Sequence, residues 1–338
     1  MSSVERLLLL FRAHREKDET AFYKAAESLI ADELAANHHS SATELQKALG
    51  QPKQVRNSAN TRNGLSALPK DRRSGEMLVT FDERPIDATK LTLCPATARQ
   101  LERLVEEHRQ RLRLARYGYQ PKSKVLLWGP PGCGKTLAAH HIAGEFGLPL
   151  GLVRLSALIS SYLGDTATHI QRVFDVAKSN PMVLLLDEAD AVGKNRNDPN
   201  DVGELKRVVN GLLQAMDSFF STESVVIAAS NHQYLLDPAL WRRFDDIIHF
   251  PMPGIEERNR FLQRLLNGVE YKGSPPALAK KMSRLSFASI ERVVVESVKT
   301  MILQDRKELR TRDVIEQLKL FQETLCATKE MSLGANHE

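Results

Sequence analysis

The sequence predicts an α/β fold: a five-stranded, mostly parallel sheet covered by helices, then a helical C-terminal region. Three observations carry this. Five short apolar segments alternate with stretches of helical periodicity: Lys124–Trp128, Leu150–Leu155, Val183–Leu186, Val225–Ala229 and Ile247–Phe250. Such a pattern belongs to parallel strands buried on both faces. A glycine-rich turn, GPPGCGKT at 129–136, stands between the first segment and a helix expected over Leu137–Glu145. From Ile255 onward only helical patterns remain: Glu256–Leu266, Ala277–Arg284, Ala288–Leu303 and Thr311–Leu325.

Ahead of the sheet the chain changes character twice. Val4, Leu7, Leu8 and Phe11 repeat at helical spacing, as do Phe22, Ala25, Leu29 and Ile30. Ser41-x-x-Glu44 is a capping box for a third short helix, with Gly50 as its stop. This small α-helical N-terminal region, residues 1–50, has a thin core and suits docking to a partner or adaptor. Residues 51–75 hold six basic residues against Asp71 alone, in a Pro/Gly/Asn/Ser-rich context. That composition reads as a basic flexible linker before it reads as a nucleic-acid contact. It also accounts for the net charge of +5, so the rest of the chain is balanced. A long charged helix is expected over Pro95–Arg116. The division anticipated is then 76–254 for the α/β part and 255–338 for the helical part with its tail.

Composition narrows the class. With 42% hydrophobic and 26% charged residues, the 338-residue chain resembles an ordinary soluble protein with a sizeable core. Its longest apolar runs are too short to span a bilayer or to form a secretion signal. Cys94, Cys133 and Cys326 show no disulfide or zinc spacing, which points to a reducing, cytoplasmic setting with no membrane partner. The adjacent pairs His38–His39 and His140–His141 point about 100° apart on a helix and do not share a face for a metal.

The turn at 129–136 fits G-x-x-x-x-G-K-[ST] in the required strand–turn–helix context. Gly132 and Gly134 let successive N–H groups aim at a phosphate, and the helix start adds partial positive charge. Pro131, Gly132, Cys133, Gly134, Lys135, Thr136 and Leu137 are therefore the expected nucleotide-binding residues. Lys135 would reach the β- and γ-phosphates of ATP, and the Thr136 hydroxyl would ligate Mg2+. The thiol of Cys133 lies inside this cradle, so a bulky alkylating reagent is expected to block nucleotide binding and bound ATP to protect it; the alternative is a thiol too buried or too poorly ionised to react. The segment VLLLDEAD, 183–190, ends a buried strand with Asp187, suited to the magnesium shell, and Glu188, suited to a general base for water. VVIAASN, 225–231, delivers Asn231, whose amide could orient the water or sense the γ-phosphate. LDPALWRRFDD, 236–246, carries Arg242 and Arg243, either surface charge or arginine fingers for a phosphoryl-transfer transition state.

From about Leu78 to Leu325 the chain resembles the AAA ATPases, a P-loop NTPase family. GPPGCGKT, LLLDEAD, LLQAMDSF, ASN and LDPALWRRFD match, in order, its Walker A, Walker B, inter-subunit, sensor 1 and arginine-finger segments. The resemblance implies ATP hydrolysis to ADP with magnesium, a helical lid from about residue 255, and a homo-oligomeric ring, usually hexameric. The run LDPALWRRFDDIIHFPMP looks most like single-module members that sever or disassemble protein polymers. Two departures stand out. Trp241 occupies a place where similar members carry a third arginine, and SFASI, 286–290, replaces Ser-Gly-Ala-Asp-Ile. The lid also lacks the arginine that some relatives use as a sensor.

SYLGD, 161–165, follows the second strand. By resemblance Tyr162, Leu163 and Gly164 form the aromatic–hydrophobic–glycine pore loop of members that remodel, unfold or disassemble proteins; alternatively the two apolar residues are tucked into the core. A nucleic-acid motor would place Lys or Arg there, so a protein client is expected and nucleic acid is disfavoured. The other readings are a nucleic-acid loader and a non-translocating assembly switch. A separately encoded protease as partner follows only by analogy with some bacterial members.

Overall fold

The computed structural model describes residues 78–82, 91–156, 166–191, 202–232 and 237–334, with backbone alone at 202–206 and 327–334. The N-terminal helices, the basic linker and the SYLG segment expected from the sequence lie outside these residues.

The main sheet holds β1 (Thr80–Phe81), β2 (Lys124–Trp128), β3 (Leu150–Arg154), β4 (Val183–Asp187), β5 (Val225–Ser230) and β6 (Asp246–His249), in the spatial order β1-β3-β4-β5-β2-β6. The last five are parallel to their neighbours, and each coincides with an expected strand to within a residue or so. β1 is an antiparallel edge strand paired with β3. Two residues give no periodicity to read, so this sixth strand was missed. Its position is fixed by packing instead: the fully buried Val79 lies against Gly151, where a Cβ would come within 2.9 Å of its Cγ1.

Strand side chains alternate between two cores. Leu126, Leu184, Leu186 and Val226 face Phe174 and Phe219 on one side. Val125, Leu127, Val183, Leu185 and Ile227 face Leu104 and Ile142 on the other. Period-two alternation within uniformly apolar strands is what a sheet covered on both faces requires.

Among the described residues, the helices between β1 and β6 are α1 (Pro95–Arg109), α2 (Arg111–Arg116), α3 (Lys135–Phe146), α4 (Thr166–Ser179), α5 (Val202–Asp217) and the single turn α6 (Pro238–Trp241). The single helix expected over Pro95–Arg116 is two, broken at Gln110 (φ −94°, ψ 16°). Packing explains the break: α1 buries Leu101, Leu104, Val105 and His108, whereas α2 buries nothing.

After β6 come α7 (Ile255–Leu265), β7 (Tyr271–Lys272), α8 (Pro275–Lys281), α9 (Phe287–Leu303), β8 (Leu309–Arg310) and α10 (Thr311–Gly334). They build a separate core of Leu262, Leu278, Met282, Ile290, Leu309 and Val314. The two-residue parallel pair β7–β8 is the one departure from the all-helical expectation here. Among the described residues, no helix is long and apolar enough to cross a membrane.

Candidate functional site

The site lies at the carboxyl ends of β2, β4 and β5, which are adjacent in the sheet. The chain leaves β2 through Gly129, whose N–H donates to Ser230 O at 3.2 Å, and curls to Gly134, the left-handed N-cap of α3 (φ 95°). Ala189 N–H donates to Ala229 O at 2.9 Å. The end of β5 is thus tied on one side to the phosphate loop and on the other to the residues after Asp187. That tie brings Asn231 between them.

Lys135 is buried, and its Nζ donates to Gly129 O (2.7 Å) and Pro130 O (3.0 Å), curling the loop around the ammonium. Burial holds its pKa below the usual lysine range, opposed by the charges of Cys133, Asp187 and Asp190. Thr136 is exposed at the start of α3, its hydroxyl 3.4 Å from Asp187 Oδ2. Asp187 Oδ1 accepts the N–H of Glu188 at 2.9 Å. Glu188 has φ 56°, a left-handed conformation that non-glycine residues adopt at a cost. Its exposed carboxylate accepts a hydrogen bond from Ser156 Oγ. Asn231 N–H donates to Asp190 Oδ1 at 3.2 Å, and Asp190 is almost fully buried. Sequence reasoning thus brings Lys135, Thr136, Asp187, Glu188 and Asn231 to one place. It passed over Ser156, although a polar residue just past a strand end was the signal that found Asn231.

For Cys133 the geometry agrees with the second of the two expectations. Its side chain is 2% exposed, with Sγ 3.8 Å from Met252 Sδ, and burial pushes its thiol pKa up against the pull of Lys135. A buried, poorly ionised thiol is a weak nucleophile, so easy alkylation is not expected. Cys133 instead borders a narrow cleft with Leu93, Met252, Glu257 and Phe287. No local pattern marks those residues, because they come from three distant segments.

The C-terminal helical part meets the phosphate loop through the atypical SFASI segment. Ser286 caps α9, accepting from Ser289 N–H, and Ala288 N–H donates to Gly132 O at 3.2 Å. A Cβ on Gly132 would lie 2.7 Å from Ser286 Oγ and 2.8 Å from Ala288 Cβ. Only glycine allows so close an approach, and its φ of 74° requires one as well. Arg260 and Arg264 of α7 donate to Leu93 O and Thr92 Oγ1, each at 3.1 Å, holding the strap before α1 against α7.

The two arginines after α6 differ. Arg243 Nη1 donates to Ala239 O at 2.8 Å, and its Nη2 donates to Asp217 Oδ2 at 2.9 Å. Arg242 is exposed, with no carboxylate partner among the described residues. Neither side chain hydrogen-bonds the phosphate loop, Asp187 or Glu188.

The family model for the ATPase family associated with various cellular activities (AAA) matches residues 125–252, which span the phosphate loop, Asp187–Glu188, Asn231 and both arginines. An uncharacterized AAA family ATPase, y4kL, of Sinorhizobium fredii is 38% identical over 309 residues, covering 90% of this chain and 91% of that protein. The chain belongs to the AAA ATPase family. It is an ATP-hydrolysing enzyme with the α/β fold of that family. Partial similarity extends further. The ATP-dependent zinc metalloprotease FtsH of Mesoplasma florum is 32% identical over 65% of this chain, which spans 35% of that protein's length. A proteasome-activating nucleotidase of Pyrococcus horikoshii is 36% identical over 59% of this chain and 51% of its own length.

Proposed function

We propose that this AAA ATPase works as a homo-oligomeric ring, hexameric by family resemblance, that uses ATP hydrolysis to remodel protein clients. The observation that supports the shared-site part of this reading is that neither arginine hydrogen-bonds the phosphate loop, Asp187 or Glu188 of its own chain. Lys135 lies inside the phosphate loop, while Arg242 is exposed and has no carboxylate partner among the described residues. A phosphoryl-transfer transition state needs further positive charge at its outer oxygens. In this reading the neighbouring subunit supplies it through Arg242. The similarity to FtsH and to proteasome-activating nucleotidases supports a protein client.

Within one subunit, backbone N–H groups of 132–137 and Lys135 bind the phosphates. The Thr136 hydroxyl and Asp187 carboxylate are hard oxygen donors close together at the exposed end of the loop, which suits Mg2+. When bound, that ion neutralises phosphate charge. Glu188 accepts a proton from the attacking water, and Asn231 holds that water in line. Residues 76–254 serve as the nucleotide-binding part, 255–338 as the lid and tail, 51–75 as a linker and 1–50 as the docking region for an adaptor. Tyr162, Leu163 and Gly164 grip the client.

The test combines a trap with a grip mutant. Glu188→Gln rings loaded with ATP retain a client in pull-down, and Glu188→Gln with Tyr162→Ala releases it. On its own, Tyr162→Ala keeps its melting temperature and ATPase activity, and Tyr162→Phe keeps function as well. A Tyr162→Ala protein that melts early and loses hydrolysis would place that side chain in the core and end the pore-loop reading.

A further inference from the structure

Residues 109–124 carry Arg109, Arg111, Arg113, Arg116, Lys122 and Lys124 with no acidic residue among them. The structure spends three of these charges on partners: Arg109 pairs with Glu145, Lys122 with Asp246 and Glu107, and Lys124 donates to Met216 O and lies over the Phe220 ring. The three arginines of α2 have no carboxylate within ion-pair distance among the described residues. Arg111 donates only to His108 O and Arg113 only to Gln110 Oε1.

Apolar side chains are interleaved with these charges and stand in solvent: Leu112 is 74% exposed, Tyr117 73% and Tyr119 68%. They are held there. Tyr117 N–H and Tyr119 N–H both donate to Leu114 O, and Gly118 N–H donates to Ala115 O, closing α2 with Gly118 in the left-handed region (φ 80°). The next residue, Gln120, lines a shallow groove with Lys178, Pro181 and Phe220, and Phe220 is itself 71% exposed. The surface lies at the amino ends of β2, β4 and β5, opposite the nucleotide site, so catalysis does not explain it.

We propose that α2, the Tyr117–Gly118–Tyr119 turn and the adjoining groove form a docking surface for an acidic polypeptide segment carrying apolar residues. Composition supports a protein occupant. Arginine, tyrosine and phenylalanine are the residues enriched at protein interfaces, and fixed aromatics lower the ordering cost of binding. Leu112 has an apolar role against a peptide and none against a phosphate backbone. Outside residues 51–75 the chain is electrically balanced, so it lacks the broad positive field that nucleic-acid binding draws on. The surface is independent of the pore-loop reading, and its test does not use the pore loop.

The test measures anisotropy of a labelled synthetic peptide of about fifteen residues alternating Asp/Glu with Leu/Phe, titrated with the full chain at two salt concentrations. Comparison probes are the same peptide with Ser in place of Leu/Phe, and single-stranded oligothymidine. The acidic–apolar peptide binds, weakens in high salt, and loses at least about tenfold in affinity to Arg113→Glu with Arg116→Glu and, separately, to Leu112→Ser with Tyr119→Ser. Both variants alter exposed side chains, so melting temperature and basal ATPase stay at wild-type values. Failure of the peptide to bind, equal binding by both variants, or preferential binding of oligothymidine overturns the proposal.

Discussion

Arg243 and Asp217 form an ion pair, Nε to Oδ1 at 2.8 Å, that ties the segment after α6 to the end of α5. The neighbouring Arg242 is left exposed. Two adjacent arginines therefore differ in their surroundings. Arg243→Ala should melt earlier by the equivalent of about 1 kcal/mol, since both partners are partly exposed. Asp217→Asn should reproduce that shift and a matching partial loss of ATPase activity. Arg242→Ala should melt like wild type, bind ATP normally and hydrolyse it poorly. If Asp217→Asn left both melting and ATPase untouched while Arg243→Ala abolished turnover, Arg243 would itself be the reaching arginine.

The hydrogen bond from Ser156 to Glu188, with the strained backbone at Glu188, holds the carboxylate at the mouth of the site. Glu188→Gln should still bind ATP yet hydrolyse it at least about a hundredfold more slowly. Ser156→Ala should change turnover by less, within about tenfold, because it removes an orienting partner and keeps the base. Steady-state kcat with nucleotide affinity measured separately distinguishes the two effects. Near-normal turnover in Glu188→Gln would remove Glu188 as the base.

Thiol labelling provides a third check. Exposed Cys326 should react readily with a maleimide near neutral pH, while Cys133 should react slowly and ATPase activity should survive. Because burial raises the Cys133 pKa, its labelling should accelerate only at pH above the ordinary thiol range. Rapid modification of Cys133 at neutral pH, seen by peptide mapping, would contradict the packing against Met252.

How far the sequence led can be seen residue by residue. The five parallel strands and the alignment of Lys135, Asp187, Glu188 and Asn231 were legible because each is encoded locally, as an apolar run ending in a polar residue. The edge strand Thr80–Phe81 was not, since two residues carry no period. Nor was the cleft beside Cys133, whose walls at Leu93, Met252 and Phe287 come together only through tertiary packing. The break at Gln110 and the exposed arginines of α2 were hidden for a related reason. Helical periodicity ran through both helices, and only the fold decides which turn finds a core.

His108 offers a pH test. Burial, with the nearby Arg111 charge, lowers its pKa from 6.5 to about 4, and its ring stacks on Phe146 at 3.8 Å. The unfolded chain therefore takes up a proton below pH 6.5 that the folded chain refuses until about pH 4. His108 thus draws stability down as pH falls across that window, and adds no further loss below it. His108→Phe should flatten the fall in melting temperature over the same range. An unchanged pH profile in the variant would mean that His108 is not the residue responsible.

The most direct measurement of the shared site mixes two inactive proteins. Arg242→Ala lacks the reaching arginine and keeps its own Glu188, while Glu188→Gln lacks the base and keeps Arg242. Co-assembled at varied ratios, with mixed rings verified by a size-resolved tag, they should recover ATPase activity above either parent, greatest at intermediate ratios. Mixed rings that stay as inactive as their parents at every ratio would contradict an active site completed by the neighbouring subunit.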